Sequence, residues 1–214
     1  MLDKASLAAA FATLTRRIRL PQTNVVLASA SPRRRELLCL LFDEFRVVPS
    51  EFDESDVPLE LGPAEHVVHS SLMKARDVAA KHPESLVIAA DTVVVVDGTI
   101  LGKPIDAEDA ARMLRLLGGR VHQVYTGVSV AANGIERSGF ECTDVTFREL
   151  DDDIIARYIA TGEPMDKAGA YAIQGKGSVL IKGISGCYFN VVGLPIYLLS
   201  RLLEEFDIRP LEDC

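Results

Sequence analysis

The amino-acid sequence predicts an α/β fold built around a mixed sheet. Segments with helical hydrophobic spacing alternate with short apolar runs that suit buried strands. Two turn dipeptides, Asp97-Gly98 and Asn133-Gly134, join neighbouring strands as hairpins, so part of the sheet is antiparallel. No internal repeat, low-complexity tract or clear linker divides the 214 residues. Hairpins together with helices favour a mixed sheet over a purely parallel βαβ array.

The N-terminal residues predict a separate helical extension. Leu7, Phe11, Leu14 and Ile18 form the apolar stripe of an amphipathic helix. We therefore expect residues 1–22 to be an N-terminal extension of a domain that spans residues 23–214. A mitochondrial transit peptide is a second interpretation, which Asp3 argues against.

In the first half of the domain, the predicted elements alternate between strands and helices. Ser31 and Pro32 suit the N-cap and first position of a helix. The helix 63–81 is expected to bury one face. These elements are a strand at 25–28, a helix at 33–41 that buries Leu37, Leu38 and Leu41, a strand at 45–49, and the helix 63–81 that buries Val68, Leu72, Ala75 and Ala79.

In the second half, strands dominate. Asp106 and Asp151 suit the N-caps of two helices, and residues 161–177 are Gly-rich and irregular. The predicted elements are strand 86–96, a helix from Asp106 to Gly118-Gly119, strands 121–130 and 141–147, a helix from Asp151 to 160, strand 179–181 and helix 194–206.

The composition is that of a globular protein and excludes several classes. Hydrophobic residues make up 48% and charged residues 25% of the chain, so it is neither disordered nor fibrous. A formal charge of −8, without Trp, argues against a nucleic-acid partner. No apolar run reaches the ~18 residues of a membrane span, so we expect no membrane partner. The scattered cysteines favour the reducing cytoplasm over a zinc site or disulfides; they are Cys39, Cys142, Cys187 and Cys214.

Three consecutive arginines at a helix start indicate an anion site. Cations there oppose the helix dipole, each at a cost of up to about 1 kcal/mol. Arg33, Arg34 and Arg35 therefore make more sense if an anion is held by backbone N–H and guanidinium groups. A solvated basic turn is the alternative.

Asp91 stands in the middle of an apolar strand. A buried carboxylate is costly unless it is paired or binds a metal, so Asp91 is a candidate general base or Mg²⁺ ligand. An aspartate bonded to backbone at a bulge is the alternative. Glu51, at a strand end, is the expected second carboxylate. The acidic residues that follow are expected to be solvated: Asp53, Glu54 and Asp56.

Two lysines and a glutamine are further candidates. Lys103 follows the hairpin of the Asp91 strand and can fold back toward that carboxylate, and Lys74 lies mid-helix. Surface positions are the alternative for both lysines. The side-chain amide of Gln174 offers a hydrogen-bond donor and an acceptor to the edge of a nucleobase. The next residue, Gly175, permits a ligand to come close to the backbone. His66 and His69 suit a solvated helix face better than a metal pair.

The common nucleotide and hydrolase signatures are absent from the sequence. Residues 169–177 depart from a P-loop because one residue too many separates Gly169 from Gly175-Lys176, and because Gly177 stands where Ser or Thr is needed. No G-x-G-x-x-G follows a strand, and no serine stands in a G-x-S-x-G turn.

Several motifs, taken in order, resemble those of the Maf family. They cover about residues 24–208, nearly the whole chain. Each motif alone is weak, but their number and order make the resemblance specific. The motifs are Leu27-Ala28-Ser29-Ala30-Ser31-Pro32-Arg33-Arg34, Ala89-Ala90-Asp91-Thr92-Val93, Leu101-Gly102-Lys103-Pro104, Gly119-Arg120-Val121-His122, residues 162–171 with Gln174-Gly175, and Gly193-Leu194-Pro195.

The resemblance implies a fold and an activity. The implied fold is an elongated mixed sheet with flanking helices, with two lobes around a nucleotide cleft (Maf/ITPase-like), in a homodimer. The implied activity is hydrolysis of nucleoside triphosphates to the monophosphate and pyrophosphate with a divalent metal, Mg²⁺ or else Mn²⁺ or Co²⁺, in a nucleotide-pool cleansing role. By position, Asp91 resembles the proton acceptor. The other implied positions are Arg33, Thr92 and Gln174 for specificity, Ser29, Arg34, Lys74 and Lys103 on the phosphate side, and Glu51 as the other acidic group near the metal.

The resemblance also narrows the substrate. Gln174 with Arg33 and Thr92 matches the subgroup acting on dTTP and UTP, extending to CTP and modified pyrimidine nucleotides, and nothing favours the subgroup that prefers 7-methyl-GTP. The chain is also similar to the Maf-type half of acetylserotonin methyltransferase-like proteins, which implies a fused methyltransferase domain absent from this chain. A nucleotide-binding sensor or dimerisation module without turnover is the alternative function. Whether Asp91 or Glu51 is the base or the metal ligand stays open.

Overall fold

Seven strands form one mixed sheet in the computed structural model, which describes residues 24–209. Their order is β2-β1-β3-β5-β6-β7, with β4 beside β3. Strands β1, β2 and β3 pair in parallel and the other pairs are antiparallel, which confirms the predicted mixed α/β fold. The strands are β1 (Val25–Leu27), β2 (Arg46–Val47), β3 (Leu86–Val96), β4 (Thr99–Leu101), β5 (Val121–Ala132), β6 (Ile135–Phe147) and β7 (Ile181–Ser185). The helix predicted in residues 1–22 lies outside the described residues.

Six α-helices flank the sheet in the same part of the chain. They are α1 (Pro32–Leu38), α2 (Pro63–Lys81), α3 (Ala107–Leu117), α4 (Asp152–Ile159), α5 (Tyr188–Val192) and α6 (Ile196–Glu204). Short 3₁₀ turns lie at Glu54–Asp56, Glu163–Asp166, Ala168–Ala170 and Gly175–Leu180. No helix within residues 24–209 combines the length and hydropathy needed to cross a membrane.

The predicted helix caps are present. The side chain of Ser31 accepts the Arg34 N–H at 3.5 Å, and Asp106 accepts the Asp109 N–H at 2.8 Å. Asp151 caps α4 in the same way. Each cap satisfies an N–H group that has no partner inside its helix, which explains why the starts of α1, α3 and α4 could be predicted.

Several elements differ from their predicted bounds, and one helix was not predicted. Helix α1 ends at Leu38 instead of 41, and β6 starts at Ile135 instead of 141. The predicted strand 179–181 is wrong, because Gly175–Leu180 is a 3₁₀ turn and the strand starts only at Ile181. The last helix begins at Ile196, after Pro195, instead of at 194. Helix α5 was not predicted, since five residues are too few to show a helical period.

The buried face of α2 is shifted by about one residue toward the N-terminus from its predicted position, although Ala75 is buried as predicted. Val68, Leu72 and Ala79 are only half-buried. The buried set is Val67, Ser70, Ser71, Lys74, Ala75 and Val78. The prediction followed the apolar residues, whereas the helix also turns polar side chains inward, of which Ser71 and Lys74 bond to polar groups of the sheet.

Strand β3 leaves a gap on one edge of the sheet. Strand β5 pairs with one edge of β3 along residues 87–95. On the opposite edge, β1 pairs only with Leu86–Ile88 and β4 only with Val94–Val96. Within the described residues, 89–93 therefore have no strand neighbour on that edge. Asp91 and Thr92 lie in this gap.

Helix α2 lies close against the sheet because β5 carries a glycine beneath it. A methyl group added at Gly127 would overlap the carbonyl group of Val67. The absence of a side chain at Gly127 therefore permits the backbone of α2 to contact β5 directly. This close approach brings the inward face of α2, including Lys74, to the strand that carries Asp91.

Candidate active site

A cleft of about 670 Å³ opens at the gap in the sheet. Its wall includes the loop after β1, the start of α1, residues 91–94 of β3 and the segment after β4. The volume is within the range of small-molecule sites. Ligands in α/β proteins commonly bind beyond the carboxyl ends of parallel strands, and the end of β1 lies at this cleft.

Two carboxylates share one buried ammonium group in the cleft. The Lys74 Nζ lies 2.6 Å from Asp91 Oδ1 and 2.6 Å from Glu54 Oε1. Lys74 is 8% and Asp91 6% exposed, while the Glu54 side chain is largely open to solvent. The ion pair satisfies the buried Asp91 carboxylate, which otherwise would be costly to bury. It also fixes the orientation of that carboxylate toward the cleft.

Glu51 lies away from this group. Its carboxylate contacts Lys81 Nζ at 2.6 Å and is 83% exposed, and its backbone N–H donates to Asp77 at 2.7 Å. Glu51 does not line the cleft. Glu54, expected from the sequence to be a solvated residue, instead reaches Lys74. No local spacing distinguishes these two glutamates, because their places depend on α2, which lies further along the chain.

Arg34 is held by three acceptors. Its Nε donates to the Gly193 carbonyl at 2.9 Å, and its two terminal nitrogens donate to Ser29 Oγ at 3.3 Å and Thr92 Oγ1 at 3.0 Å. Burial lowers the pKa of the Arg34 guanidinium, and the negative charge of Asp91 opposes that shift. The group stays protonated at neutral pH, so it places a fixed positive charge in the cleft.

Further cations lie around the mouth of the cleft. Burial lowers the pKa of Arg33, while the negative charge of Asp166 opposes that shift; its guanidinium lies 3.9 Å from Asp166 Oδ2. Lys167, which sequence analysis did not single out, lines the cleft and pairs with Asp166. Lys103 lines the cleft and is exposed. The structure shows no hydrogen bond or ion pair for its ammonium within residues 24–209.

Gln174 lies outside the residues that line the cleft. It stands at the N-cap position of the 3₁₀ turn Gly175–Leu180 without a side-chain capping bond. Glu163 anchors this turn by accepting the N–H groups of Lys176 at 2.9 Å and Gly177 at 2.8 Å. Burial of Glu163 opposes the effect of these bonds, but they hold the pKa of its carboxyl below the ordinary value. The loop that carries Gln174 is thus fixed through Glu163.

The carboxylates of the cleft could hold a metal ion that takes its remaining ligands from a bound nucleotide and water. Within the described residues, no group of three or more His, Cys, Asp or Glu side chains could hold a metal ion. This includes His66, which lines the cleft without such neighbours. Mg²⁺ in nucleotide sites commonly takes one or two carboxylates and completes its coordination with phosphate oxygens and water. The pair Asp91 and Glu54 fits that donor set.

The structure brings most of the predicted positions together. Two of them do not line the cleft, Glu51 and Gln174. Sequence analysis did not single out Glu54, Asp166 and Lys167 as site residues. The predicted residues that line the cleft are Ser29, Arg33, Arg34, Lys74, Asp91, Thr92 and Lys103.

Two solved structures with weak similarity align with most of the chain. The Staphylococcus aureus Ham1 protein is 18% identical with a TM-score of 0.48, covering 84% of this chain and 97% of its own. The nucleoside-triphosphatase / dITP/XTP pyrophosphatase of Mycobacterium abscessus is 16% identical with a TM-score of 0.43, covering 86% and 96%. Both likenesses are too weak to bear on function.

Curated relatives are much more similar. A protein of Moorella thermoacetica named dTTP/UTP pyrophosphatase is 54% identical over 188 residues, which are 87% of this chain and 96% of the relative. Proteins of the same name from Thermococcus kodakarensis and Bacillus pumilus are 50% and 48% identical, each covering 98% of the relative and 86% and 87% of this chain. The family model described as Maf-like protein matches residues 24–206. By this match and these relatives, the chain belongs to the Maf family.

Proposed function

We propose that this protein is a nucleoside triphosphate pyrophosphatase that hydrolyses dTTP and UTP to the monophosphate and pyrophosphate. The observation that carries the proposal is the Asp91–Lys74–Glu54 group in a cleft that also contains Arg33 and Arg34. The name shared by relatives of about 50% identity supports the choice of substrates. CTP and modified pyrimidine nucleotides are further proposed substrates, in a nucleotide-pool cleansing role.

The cations of the cleft bind the triphosphate in this proposal. Arg34 is preorganised by its three acceptors, so little conformational freedom is lost when its remaining N–H groups meet phosphate oxygens. Arg33 and Lys103 extend the positive charge toward the mouth. Fixed charges at the positions where negative charge develops lower the barrier of the reaction.

Asp91 accepts the proton of the attacking water. The water oxygen forms a bond to the α-phosphorus, and the bond from that phosphorus to the α–β bridging oxygen breaks. The proton passes to the Asp91 carboxylate, and pyrophosphate leaves with the bridging oxygen. Lys74 holds the carboxylate in place for this transfer, since its ammonium contacts Oδ1 at 2.6 Å.

Asp91 and Glu54 would hold a divalent cation, Mg²⁺ or else Mn²⁺ or Co²⁺, together with substrate phosphates. A bound divalent ion withdraws negative charge from the phosphoryl oxygens. The position of Glu51, paired with Lys81 outside the cleft, does not support a role for it as ligand. A homodimer, a cytoplasmic location and a fused methyltransferase domain stay predictions.

The decisive experiment measures which phosphate product is released. The purified protein is incubated with Mg²⁺ and dTTP, UTP, CTP, GTP or 7-methyl-GTP, and pyrophosphate is assayed separately from orthophosphate. We expect pyrophosphate from dTTP and UTP, and a loss of at least 100-fold in the Asp91→Asn variant, which keeps the shape but removes the charge. The matched control is Asp97→Asn, in the exposed β3–β4 turn. Binding of UTP without any product would favour the sensor function instead.

A further inference from the structure

The two carboxylates that Lys74 joins each keep one oxygen free. Asp91 and Glu54 contact its ammonium through Oδ1 and Oε1. The other two oxygens, Asp91 Oδ2 and Glu54 Oε2, make no hydrogen bond within residues 24–209. Asp91 Oδ2 keeps contact with solvent at the cleft, and the Glu54 side chain is 55% exposed. Both free oxygens are therefore available to a cation that enters the cleft.

The charges around these two carboxylates cancel. Lys74 is bonded to both of them. Arg34 lies near them as well, because burial lowers the pKa of its guanidinium and the two carboxylates oppose that shift. Its bond to Thr92 Oγ1 at 3.0 Å keeps Arg34 in place. Two negative charges are thus balanced by two positive charges before any ligand binds.

A balanced group of this kind attracts a divalent ion only weakly. The affinity of a carboxylate site for such an ion depends on how many negative charges the ligands supply, and positive charges a few ångströms apart repel each other strongly where solvent is excluded. Lys74 is only 8% exposed, so solvent and salt screen its charge poorly. A nucleoside triphosphate adds several negative charges to the cleft and reverses this balance.

We propose that Lys74, together with Arg34, couples metal binding to nucleotide binding, because these cations cancel the charge of Asp91 and Glu54 until the phosphates of the substrate arrive. This inference rests on the proposed function and deepens it. Lys74 then has two effects at one place. It orients Asp91, and it keeps a divalent ion from occupying the carboxylates when no substrate is present.

The test measures the binding of Mn²⁺ to the nucleotide-free protein, by electron paramagnetic resonance of the unbound ion. Lys74→Gln keeps an N–H donor for Asp91 but removes the positive charge. We expect its dissociation constant for Mn²⁺ to be at least about tenfold lower than that of the unchanged protein. Damage to the structure would weaken metal binding, so a gain in affinity separates the charge effect from a structural one. Equal or weaker binding in Lys74→Gln would overturn the inference.

The matched control keeps the charge at the same position. Lys74→Arg retains one positive charge beside the two carboxylates, and its dissociation constant for Mn²⁺ should stay within about twofold of that of the unchanged protein. A gain in Lys74→Arg as large as that in Lys74→Gln would show that the charge is not the cause, and would contradict the inference.

A double variant shows where the ion binds. Lys74→Gln combined with Glu54→Gln removes one positive and one negative charge, which restores the balance. We expect its affinity for Mn²⁺ to return to within about threefold of that of the unchanged protein. If the double variant keeps the tighter binding, the ion lies away from these carboxylates and the inference fails.

The proposed function and this inference can fail separately. If the unchanged protein releases no pyrophosphate from UTP, the proposed function fails, whereas the Mn²⁺ measurement uses no nucleotide and still decides the inference. Should Lys74→Gln not fold, as judged by circular dichroism, Arg34→Gln takes its place, because Arg34 is the second cation of the balance. We then expect Mn²⁺ to bind at least about fivefold more tightly, and an unchanged affinity would count against the inference.

Discussion

At the scale of single residues, Lys74 is distinguished by being buried between two carboxylates. Lysine is rarely buried, and a buried ion pair adds little net stability because desolvation offsets the attraction. The 2.6 Å contacts of Lys74 with Asp91 and Glu54 are therefore better explained by a need to hold the two carboxylates in place for the reaction than by a gain in stability. Local sequence rules that are broken in this way commonly mark functional sites.

The two glutamates of the acidic segment provide a first test at this scale. Glu54→Gln removes the second carboxylate of the cleft without changing its size, and we expect kcat for UTP to fall at least about tenfold. Glu51→Gln affects only an exposed pair with Lys81 and is expected to stay within about twofold. Steady-state kinetics at saturating UTP and Mg²⁺ measure both variants. A greater loss of kcat in Glu51→Gln than in Glu54→Gln would show that Glu51, and not Glu54, is the second carboxylate of the site.

Lys103 provides a second residue-scale prediction. Its ammonium lines the cleft and has no hydrogen-bonded or ion-paired partner in the described residues, so we expect it to be available for the triphosphate. One preorganised donor contributes about 3 kcal/mol to the barrier, and Lys103→Ala should therefore lower kcat on the order of 100-fold. Lys182→Ala, at an exposed position of β7, is the control. A loss of only a few-fold at saturating UTP would remove Lys103 from the catalytic group.

At the scale of elements, α2 and β5 together place the ion pair. The buried side of α2 contains Ser70, Ser71 and Lys74 among apolar residues. Ser71 bonds to Ser129 of β5 at 2.8 Å, and Lys74 bonds to Asp91 of β3. Ser71 and Lys74 are thus paired with polar groups of the sheet, whereas the buried Ser70 Oγ has no hydrogen-bond partner in the described residues, and Gly127 sets how close α2 can come.

Replacement of Gly127 tests whether the close contact of α2 with β5 places Lys74 beside Asp91. The Cβ of Gly127→Ala would overlap the Val67 backbone. Backbone in a helix cannot rotate aside as a side chain can, so the overlap must be relieved by moving α2. We expect the free energy of unfolding in urea to fall by about 2–3 kcal/mol and kcat to fall as Lys74 moves from Asp91. Gly183→Ala, in β7 with open space around it, should change stability by less than about 0.5 kcal/mol. Equal stability of the two variants would contradict the tight contact of α2 and β5.

At the scale of the whole molecule, positive charge is concentrated in a chain of net charge −8. The gap in the edge of β3 creates a concave site, and the arginines of α1 and the lysines of the surrounding segments converge there. Five Lys and Arg side chains line the cleft against three carboxylates, so its charge is positive on balance, and a positive cleft raises the local concentration of anionic ligands. The acidic surface therefore coexists with a site that attracts an anionic nucleotide.

The stability of the whole molecule should depend on pH through His122. This imidazole is 2% exposed, donates or accepts one bond with Tyr171 at 2.8 Å, and packs on Phe147. Burial lowers the pKa of His122 from 6.5 to about 4. Below pH 6.5 the unfolded chain binds a proton at this residue, whereas the folded chain binds it only near pH 4. The contribution of His122 to stability is therefore fully present above pH 6.5 and is lost as the pH falls toward 4.

Urea unfolding at several pH values measures this effect. We expect the free energy of unfolding to fall by about 3 kcal/mol across the window from pH 6.5 to about 4. The slope between pH 6.5 and 5 should be smaller in His122→Gln, compared with that variant's own stability at pH 7.5. The same slope in both proteins would show that other groups cause the loss.

The sequence by itself predicted the mixed α/β class, the caps of α1, α3 and α4, both hairpin turns and the position of Asp91 in a buried strand. It could do so because caps, turns and strand periodicity depend on neighbours within a few residues. Charge and spacing also singled out Arg33, Arg34, Lys74 and Lys103, and the motifs of the family added Ser29 and Thr92. With Asp91, these are the seven predicted residues that line the cleft.

Only the tertiary structure decided which acidic residue lies beside Asp91 and which face of α2 turns inward. Glu54 and Glu51 are three residues apart in one acidic segment, and their partners Lys74 and Lys81 lie on a helix further along the chain. Thr92 likewise bonds to Thr126, which in turn bonds to the backbone carbonyl of Asn190, 34 and 98 residues beyond Thr92. Such contacts form only when strands and helices distant in sequence pack together, because no local pattern encodes the distance between them.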